Sequence, residues 1–371
     1  MSDISTLFSD DDVGSQRMME LLRDPDVTEI TANGHDRIFY VGPKGKVMIR
    51  QQLFAGPAQY IRWLNDLLAV TDAGYRDVEA APTHVIEASL REGLYGSIHI
   101  CTHEITRGEP FLTVRKQPIH YITLDEMLGQ HMLNVDMRDF LVMAMRGRLN
   151  ILLSGGSGAG KTTMARALAR YIDPGQRVIT VEEIDELHLA NLDGVNGLPN
   201  VTALTTYRSR DDQGRVIREV TLEDLVKESL RMRADRIWVG ETRGAEAFAL
   251  VKAANSGHDG SLTTLHADDG GSAVKQAITY VMEGGVSEEV ARDQVARAFH
   301  LVVQISMVRP NERRVTEITE LESVREGNEQ RRSVLWQYDY YSDNWLQIGS
   351  PTPRLLQTLA KHGVNYTPPL H

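Results

Sequence analysis

The sequence predicts an α/β fold in which a doubly wound, mainly parallel sheet is preceded by a smaller α+β domain. Three observations carry this. Between Asn150 and His266, short apolar runs alternate with stretches of helical periodicity, as in βα units that cover both faces of a parallel sheet. One such run, 149–153, leads into Gly155-Gly156-Ser157-Gly158-Ala159-Gly160-Lys161-Thr162-Thr163, which fits G-x-x-x-x-G-K-[ST] at every fixed position and calls for a strand before it and a helix after it. Before Pro118, by contrast, short β-rich runs are separated by tight turns such as Asn33-Gly34, an antiparallel signature. With 371 residues, two domains can each bury a core. They are placed at 1–118 and 119–371, with a linker near 117–123.

In chain order, the opening around Asp10-Asp11-Asp12 reads as a solvated lead-in, and 18–22 as a short helix ended by Asp24-Pro25-Asp26. Strands follow at 27–32, 37–41 and 46–49, the last after the turn Pro43-Lys44-Gly45. Tyr60, Ile61, Leu64, Leu67 and Leu68 share one face of a helix over 57–70. Strands at 85–90, 97–101 and 111–115 complete the N-terminal unit. Helices at 123–129 and 136–147 precede the 149–153 strand, and the helix after the glycine-rich loop stops at Asp173-Pro174-Gly175,. A second core strand at 177–181 is followed by a polar, turn-rich stretch over 191–220, with a hairpin turn at Asp212-Gln213-Gly214. Thr221-Leu222-Glu223-Asp224 opens a helix to about 232 in the manner of a capping box,. Core strands at 236–239 and 261–265 flank a helix over 245–255. Two helices over 272–299, broken at Gly284-Gly285, precede a terminal antiparallel set at 301–307, 315–321 and 334–340, and a last helix covers 353–362.

Composition narrows the function classes. A single cysteine, Cys101, excludes an internal disulfide framework and a cysteine-based zinc site, and points to a reducing, cytoplasmic compartment. The net charge of −11 argues against direct nucleic-acid binding or anionic-membrane binding, both of which need a positive field. It leaves open a local basic patch, or membrane association through a protein partner. No apolar run reaches the length of a membrane span, and no charged-then-apolar leader opens the chain,.

The glycine-rich loop is built for phosphate. Residues without side chains let consecutive N–H groups approach the oxygens, and the following helix adds its positive end. Lys161 then bridges the β- and γ-phosphates of a nucleoside triphosphate, and the Thr162 hydroxyl ligates Mg²⁺. In open parallel sheets ligands sit beyond the carboxyl ends of the strands, and Glu182, Glu241 and His266 all follow strand ends. Glu241, holding Mg²⁺ through water or orienting the attacking water, is the first candidate carboxylate, and Glu182 the second. A lone glutamate at a strand end is more often simply solvated; two in one sheet are a stronger signal. His258 and His266 lie eight residues apart. They lack a third ligand of suitable spacing for zinc, so a neutral imidazole facing the γ-phosphate is weighed against a structural role.

These blocks together resemble the secretion ATPase superfamily of type II secretion, type IV secretion and type IV pili. The resemblance rests on the loop 155–163, on the acidic box Val181-Glu182-Glu183-Ile184-Asp185-Glu186-Leu187, on the Walker B block running to Ile237-Trp238-Val239-Gly240-Glu241-Thr242-Arg243-Gly244, and on the histidine box from Ser256-Gly257-His258-Asp259-Gly260-Ser261 to Leu265-His266-Ala267. Asp24-Pro25-Asp26-Val27-Thr28-Glu29-Ile30 and Leu112-Thr113-Val114-Arg115-Lys116 are similar to the family's N-terminal sensor-like domain. The wording of the histidine box resembles most the branch of type IV secretion, conjugation and Tad-type pilus ATPases. The resemblance implies a RecA-like ATPase domain, ATP and Mg²⁺ as ligands, a homohexameric ring and a place at the cytoplasmic face of the inner membrane beside components of the machine. It further implies that Arg115 reaches the phosphates, that Glu182, Glu241 and His266 are catalytic, and that the loop residues Gly155 to Thr163, with His258, bind nucleotide. Departures stand at Glu183, where an aspartate is usual, at Ala234, where a proline is usual, and at Leu94-Tyr95-Gly96-Ser97, where a second arginine is usual and where Arg91 or a residue from elsewhere is left to serve.

Two other classes compete with an ATP-hydrolysing motor. One is a nucleotide-gated assembly scaffold with little turnover, motivated by those departures. The other is a kinase on a phosphate-loop fold, which leaves the histidine box without a purpose.

Overall fold

The structure, a computed structural model, describes residues 13–42, 45–71, 77–80, 84–90, 96–116, 121–189, 200–210, 215–310, 312–326 and 329–366. The acidic lead-in, Pro43-Lys44, Arg91, Leu94-Tyr95, the linker residues 117–120 and the turn Asp212-Gln213-Gly214 lie outside them. The chain divides into two units, 1–120 with 208–218, and 121–207 with 219–371.

In the first unit, α1 (Val13–Arg23) precedes β1 (Glu29–Asn33), β2 (Ile38–Gly42), β3 (Gly45–Met48), α2 (Pro57–Ala69), β4 (Val85–Leu90), β5 (Gly96–Cys101), the single turn α3 (His103–Thr106) and β6 (Phe111–Lys116). The strands form one antiparallel sheet in the order β3-β2-β1-β6-β5-β4. Alternation decides which face is covered: Ile98 and Ile100 on β5, Leu112 and Val114 on β6 and Ile30 on β1 are buried with Trp63, Leu64 and Leu67 of α2. Pro57 sits at the first turn of α2, where its missing N–H costs nothing. Helix α1 is longer than the short 18–22 segment expected, because its polar first turn hides a buried stripe through Ser15, Met18, Met19 and Leu22.

The second unit opens with α4 (Leu124–Gly129) and α5 (Val135–Arg146), capped by Thr123 and Asn134. It continues with β7 (Ile151–Ser154), α6 (Lys161–Ala169), β8 (Val178–Glu182) and β9 (Val201–Thr205). Next in the chain is a two-stranded ribbon of β10 (Tyr207–Arg210) and β11 (Val216–Val220), whose residues 208–218 group with the first unit. Then come α7 (Leu222–Ser229), β12 (Arg236–Val239), α8 (Glu246–Asn255), β13 (Leu262–Leu265), α9 (Gly270–Glu283) and α10 (Glu288–Ala298). The chain closes with β14 (Leu301–Arg309), β15 (Glu312–Glu326), β16 (Glu329–Asp339), β17 (Asn344–Gln347) and α11 (Pro353–Lys361). Among the described residues the sheet order is β17-β16-β15-β14-β7-β13-β12-β8-β9. From β14 to β9 every neighbour is parallel. This is the doubly wound, mainly parallel, RecA-like sheet.

Its central strands are buried along their whole length, as expected when helices cover both faces. Three features differ from the sequence reading. β14 was expected in a purely antiparallel set, yet it pairs parallel with β7 and antiparallel with β15; a continuous apolar run signals burial but carries no strand direction. β9 was not anticipated, because a half-exposed edge strand mixes threonine with apolar residues and lacks the apolar run of the centre,. The exposed edge strand β17 escaped for the same reason.

Candidate phosphate-binding site

Parallel registers such as Leu265 with Ser154, and Val239 with Val181, bring four strand ends level. The glycine-rich loop, His266, Glu241 and Glu182 therefore stand along one carboxyl edge, on β7, β13, β12 and β8.

The loop is shaped before any ligand arrives. Gly155 has φ +154° and passes so close to β14 that a Cβ there would lie 2.1 Å from the Ile305 carbonyl oxygen, so only glycine fits,. Gly156, Ser157 and Gly158 form an exposed crown, Ala159 is buried, Gly160 leads into α6, and Thr162 and Thr163 are half-buried on its first turn. No side chain caps the α6 N-terminus, which leaves its first N–H groups for an anion. Lys161 Nζ donates to the carbonyls of Gly155 at 2.8 Å and Gly156 at 3.0 Å, and lies 3.3 Å from His266 Nδ1. Burial pushes this amine below its ordinary range, against the opposing pull of Glu241,.

Glu241 is held from two sides. His266 Nε2 lies 2.7 Å from Oε1, and an Arg243 terminal nitrogen donates to Oε2 at 2.5 Å. The His266 approach is close but poorly aligned, so Oε1 is a buried oxygen without a hydrogen bond of good geometry. Arg243 also lies 3.6 Å from Glu183. Thr264 fixes the strand end, donating from Oγ1 to the Gly240 carbonyl at 2.8 Å and accepting from Thr242 N–H at 2.9 Å.

Glu182 occupies a different environment. Its carboxylate is buried and accepts from the backbone N–H groups of Glu186 at 3.2 Å and Leu187 at 3.1 Å. Burial, with Asp185 nearby, pushes it well above the ordinary carboxylate range,. Gly240 permits this, since a Cβ there would meet the Glu182 Cγ and Oε1 at 2.7 Å. Arg166 of α6 reaches the same box: its guanidinium donates to the Leu187 carbonyl at 3.2 Å and to that of Glu186, with its centre 5.1 Å from the Tyr121 ring. Asp185 accepts from His188 N–H at 3.0 Å.

One sequence candidate of this unit stands away from the edge. His258 precedes β13, at the amino ends of the strands, where its Nδ1 lies 3.2 Å from the Ala253 carbonyl. Within one chain it is therefore at the opposite end of the strands from the phosphate loop. Arg115 belongs to the first unit, on β6, with an exposed side chain 4.0 Å from Glu29. Arg166 and Arg243 were missed as site residues; a charged residue on the buried face of the loop helix, and a cation two positions after Glu241, were the available signals.

Residues 99–335 match the family model described as Type II/IV secretion system protein. A putative conjugal transfer protein of Mycobacterium tuberculosis is 35% identical over 192 residues, 52% of this chain and 51% of that protein. The conjugal transfer protein TrbB of Rhizobium radiobacter is 30% identical over 224 residues, 60% of this chain and 63% of its own length. The match spans between a third and two thirds of the length of such curated relatives. Among solved structures, the pilus retraction motor PilT with bound ADP aligns with TM-score 0.58 over 94% of this chain and 86% of that one; at 13% identity the likeness is one of fold. The family match covers well over half of the residues, and the chain belongs to the Type II/IV secretion system protein family.

Proposed function

We propose that this chain is an ATP-hydrolysing motor that drives assembly of, or substrate transport through, a type IV secretion, conjugation or pilus machine. The observation that carries the reading is the line Lys161–His266–Glu241 at the carboxyl edge, beside a phosphate loop whose helix end is uncapped. Family membership and the printed functions of the conjugal relatives support the machine.

In this reading Lys161 exchanges the Gly155 and Gly156 carbonyls for phosphate oxygens, which offer it full negative charge. Glu241 orients water and accepts its proton, and Glu182 is a second carboxylate on the same edge. Arg115 serves the phosphates, a role implied by resemblance. Among the described residues no group of three or more His, Cys, Asp or Glu is arranged to hold a metal. The half-buried Thr162 hydroxyl and the unbonded Glu241 Oε1 are instead the sparse oxygen set that suits Mg²⁺, which keeps most of its shell as water and phosphate,. When bound, Mg²⁺ supplies charge neutralisation at the transferring phosphate. A homohexameric ring of such chains, each with domains at 1–118 and 119–371, completes the motor. A peripheral place at the cytoplasmic face of the inner membrane fits the finding that no helix among the described residues is long and apolar enough to cross a membrane.

One observation favours the nucleotide-gated scaffold as second reading. Glu182 is taken up by backbone N–H groups and one oxygen of Glu241 by Arg243, so each carboxylate already has a partner as the chain stands. ATPase rate measured together with solution mass separates the two. A motor shows Mg²⁺-dependent turnover in a six-subunit species, lost in Lys161→Ala; binding without turnover in every assembly state favours the scaffold.

A further inference from the structure

We propose that Arg313 is a nucleotide-binding residue, a guanidinium anchored on the rim of the phosphate loop that pairs with the α- and β-phosphates of a bound nucleoside di- or triphosphate. This rests on the phosphate-loop reading above. It adds a residue from β15, outside every motif that identified the site.

The hairpin of β14 and β15 presses on the loop at two points. The Ile305 carbonyl lies against Gly155, and Arg313 Nε donates to the Gly158 carbonyl at 2.9 Å. Gly158 belongs to the exposed crown of the loop, whose N–H groups face phosphate in this motif,. The Arg313 chain also runs beside the start of α6, its Cδ 3.5 Å from where a Gly160 Cβ would stand.

Three arginines flank the turn of this hairpin, and their partners differ. Arg309 pairs with Glu312 at 3.0 Å and Asp343 at 3.2 Å. Arg314 pairs with the same two carboxylates, at 3.3 and 3.7 Å. Arg313 is exposed, has no carboxylate within ion-pair distance among the described residues, and spends only Nε on the loop. Its two terminal nitrogens remain as a fork, the geometry that suits paired phosphate oxygens. The backbone beneath is fixed, since Val315 N–H donates to the Met132 carbonyl at 2.7 Å. A cation tethered here adds equally to ADP and ATP, because the loop cradles the α- and β-phosphates.

Equilibrium binding of ADP and ATP to the purified full chain tests this with Arg313→Ala, Arg313→Gln and Arg313→Lys. Glutamine keeps a donor for Gly158 without charge, whereas lysine keeps charge without the fork. The expected result is about a tenfold loss for both nucleotides in the alanine and glutamine variants, with partial recovery in the lysine variant and a shallower salt dependence without the charge. Wild-type affinity in Arg313→Gln makes the residue a loop brace only and overturns the proposal, as does unchanged affinity in Arg313→Ala. Lys161→Ala measured alongside separates the failures: if that variant also binds normally, the phosphate-loop reading itself falls. Thermal melts of the exposed-site variants should match wild type.

Discussion

His266 touches both halves of the site: its Nε2 stands 2.7 Å from Glu241 Oε1 and its Nδ1 3.3 Å from Lys161 Nζ. An ammonium can only donate, so the ring nitrogen facing Lys161, Nδ1, is assigned as the acceptor of that contact, while Nε2 stands close to the carboxylate without a well-aligned hydrogen bond,. One imidazole thus joins the loop lysine of β7–α6 to the strand-end carboxylate of β12. Removing a phosphate-bound partner from Lys161 changes what His266 faces, and through it the hold on Glu241.

Glu241→Gln retains the shape of the side chain and the approach of Arg243 but cannot accept a proton. ATP affinity should stay within about threefold of wild type while steady-state turnover falls at least a hundredfold, the ordinary scale of a lost general base. Phosphate-release kinetics beside nucleotide titration would check this. A rate near wild type removes Glu241 from the chemistry.

Glu182 should behave in the opposite way in stability measurements. Its folded-state proton affinity is raised, chiefly by burial. Such a group stabilises the fold fully at pH below its unfolded value, and that contribution is lost as pH rises through the folded one. Glu182→Gln mimics the protonated form and can still accept from the Glu186 and Leu187 N–H groups. It should be at least as stable as wild type at neutral pH. Glu182→Ala strands those two donors and should cost about 1–3 kcal/mol. Urea unfolding of both variants distinguishes the cases, and a destabilised glutamine variant would contradict the assignment.

A pH effect is built into the amino edge of the same sheet. His300 Nδ1 accepts from the Asn150 N–H at 2.9 Å, while Asn150 Oδ1 accepts from Gly260 at 2.7 Å and Ser261 at 2.9 Å. Burial pushes this imidazole down to about 4, with Arg354, His362 and Lys361 adding to the shift and Asp259 opposing it. Between the unfolded value near 6.5 and that folded value, the unfolded chain binds the proton and the native one does not. Stability is therefore full above about pH 6.5 and falls toward pH 4, by up to about 1.4 kcal/mol per pH unit. Chemical unfolding of His300→Asn should show a flatter profile across that window, at lower stability near pH 7. Parallel profiles for the two proteins would exclude His300 as the source.

Local chemistry made much of this protein readable from its residues. The 155–163 loop carries its own geometry, because glycines at fixed spacing and a following helix define an anion cradle without distant help. The alternation of β7, β8, β12 and β13 with helices announced a parallel sheet, since a helical crossover between successive strands makes them parallel and buries both faces,. Strand-end positions then set Glu182, Glu241 and His266 on one edge. Other features depended on neighbours far away in sequence. That β14 runs parallel beside β7, that Glu182 turns into its own acidic box while Glu241 faces His266, that His258 stands at the far edge, and that Arg313 reaches Gly158 from 155 residues away were decided by strand order and by which polar atoms burial left to be satisfied. Periodicity reports how buried a segment is; only the packed chain determines what each buried or tethered charge meets.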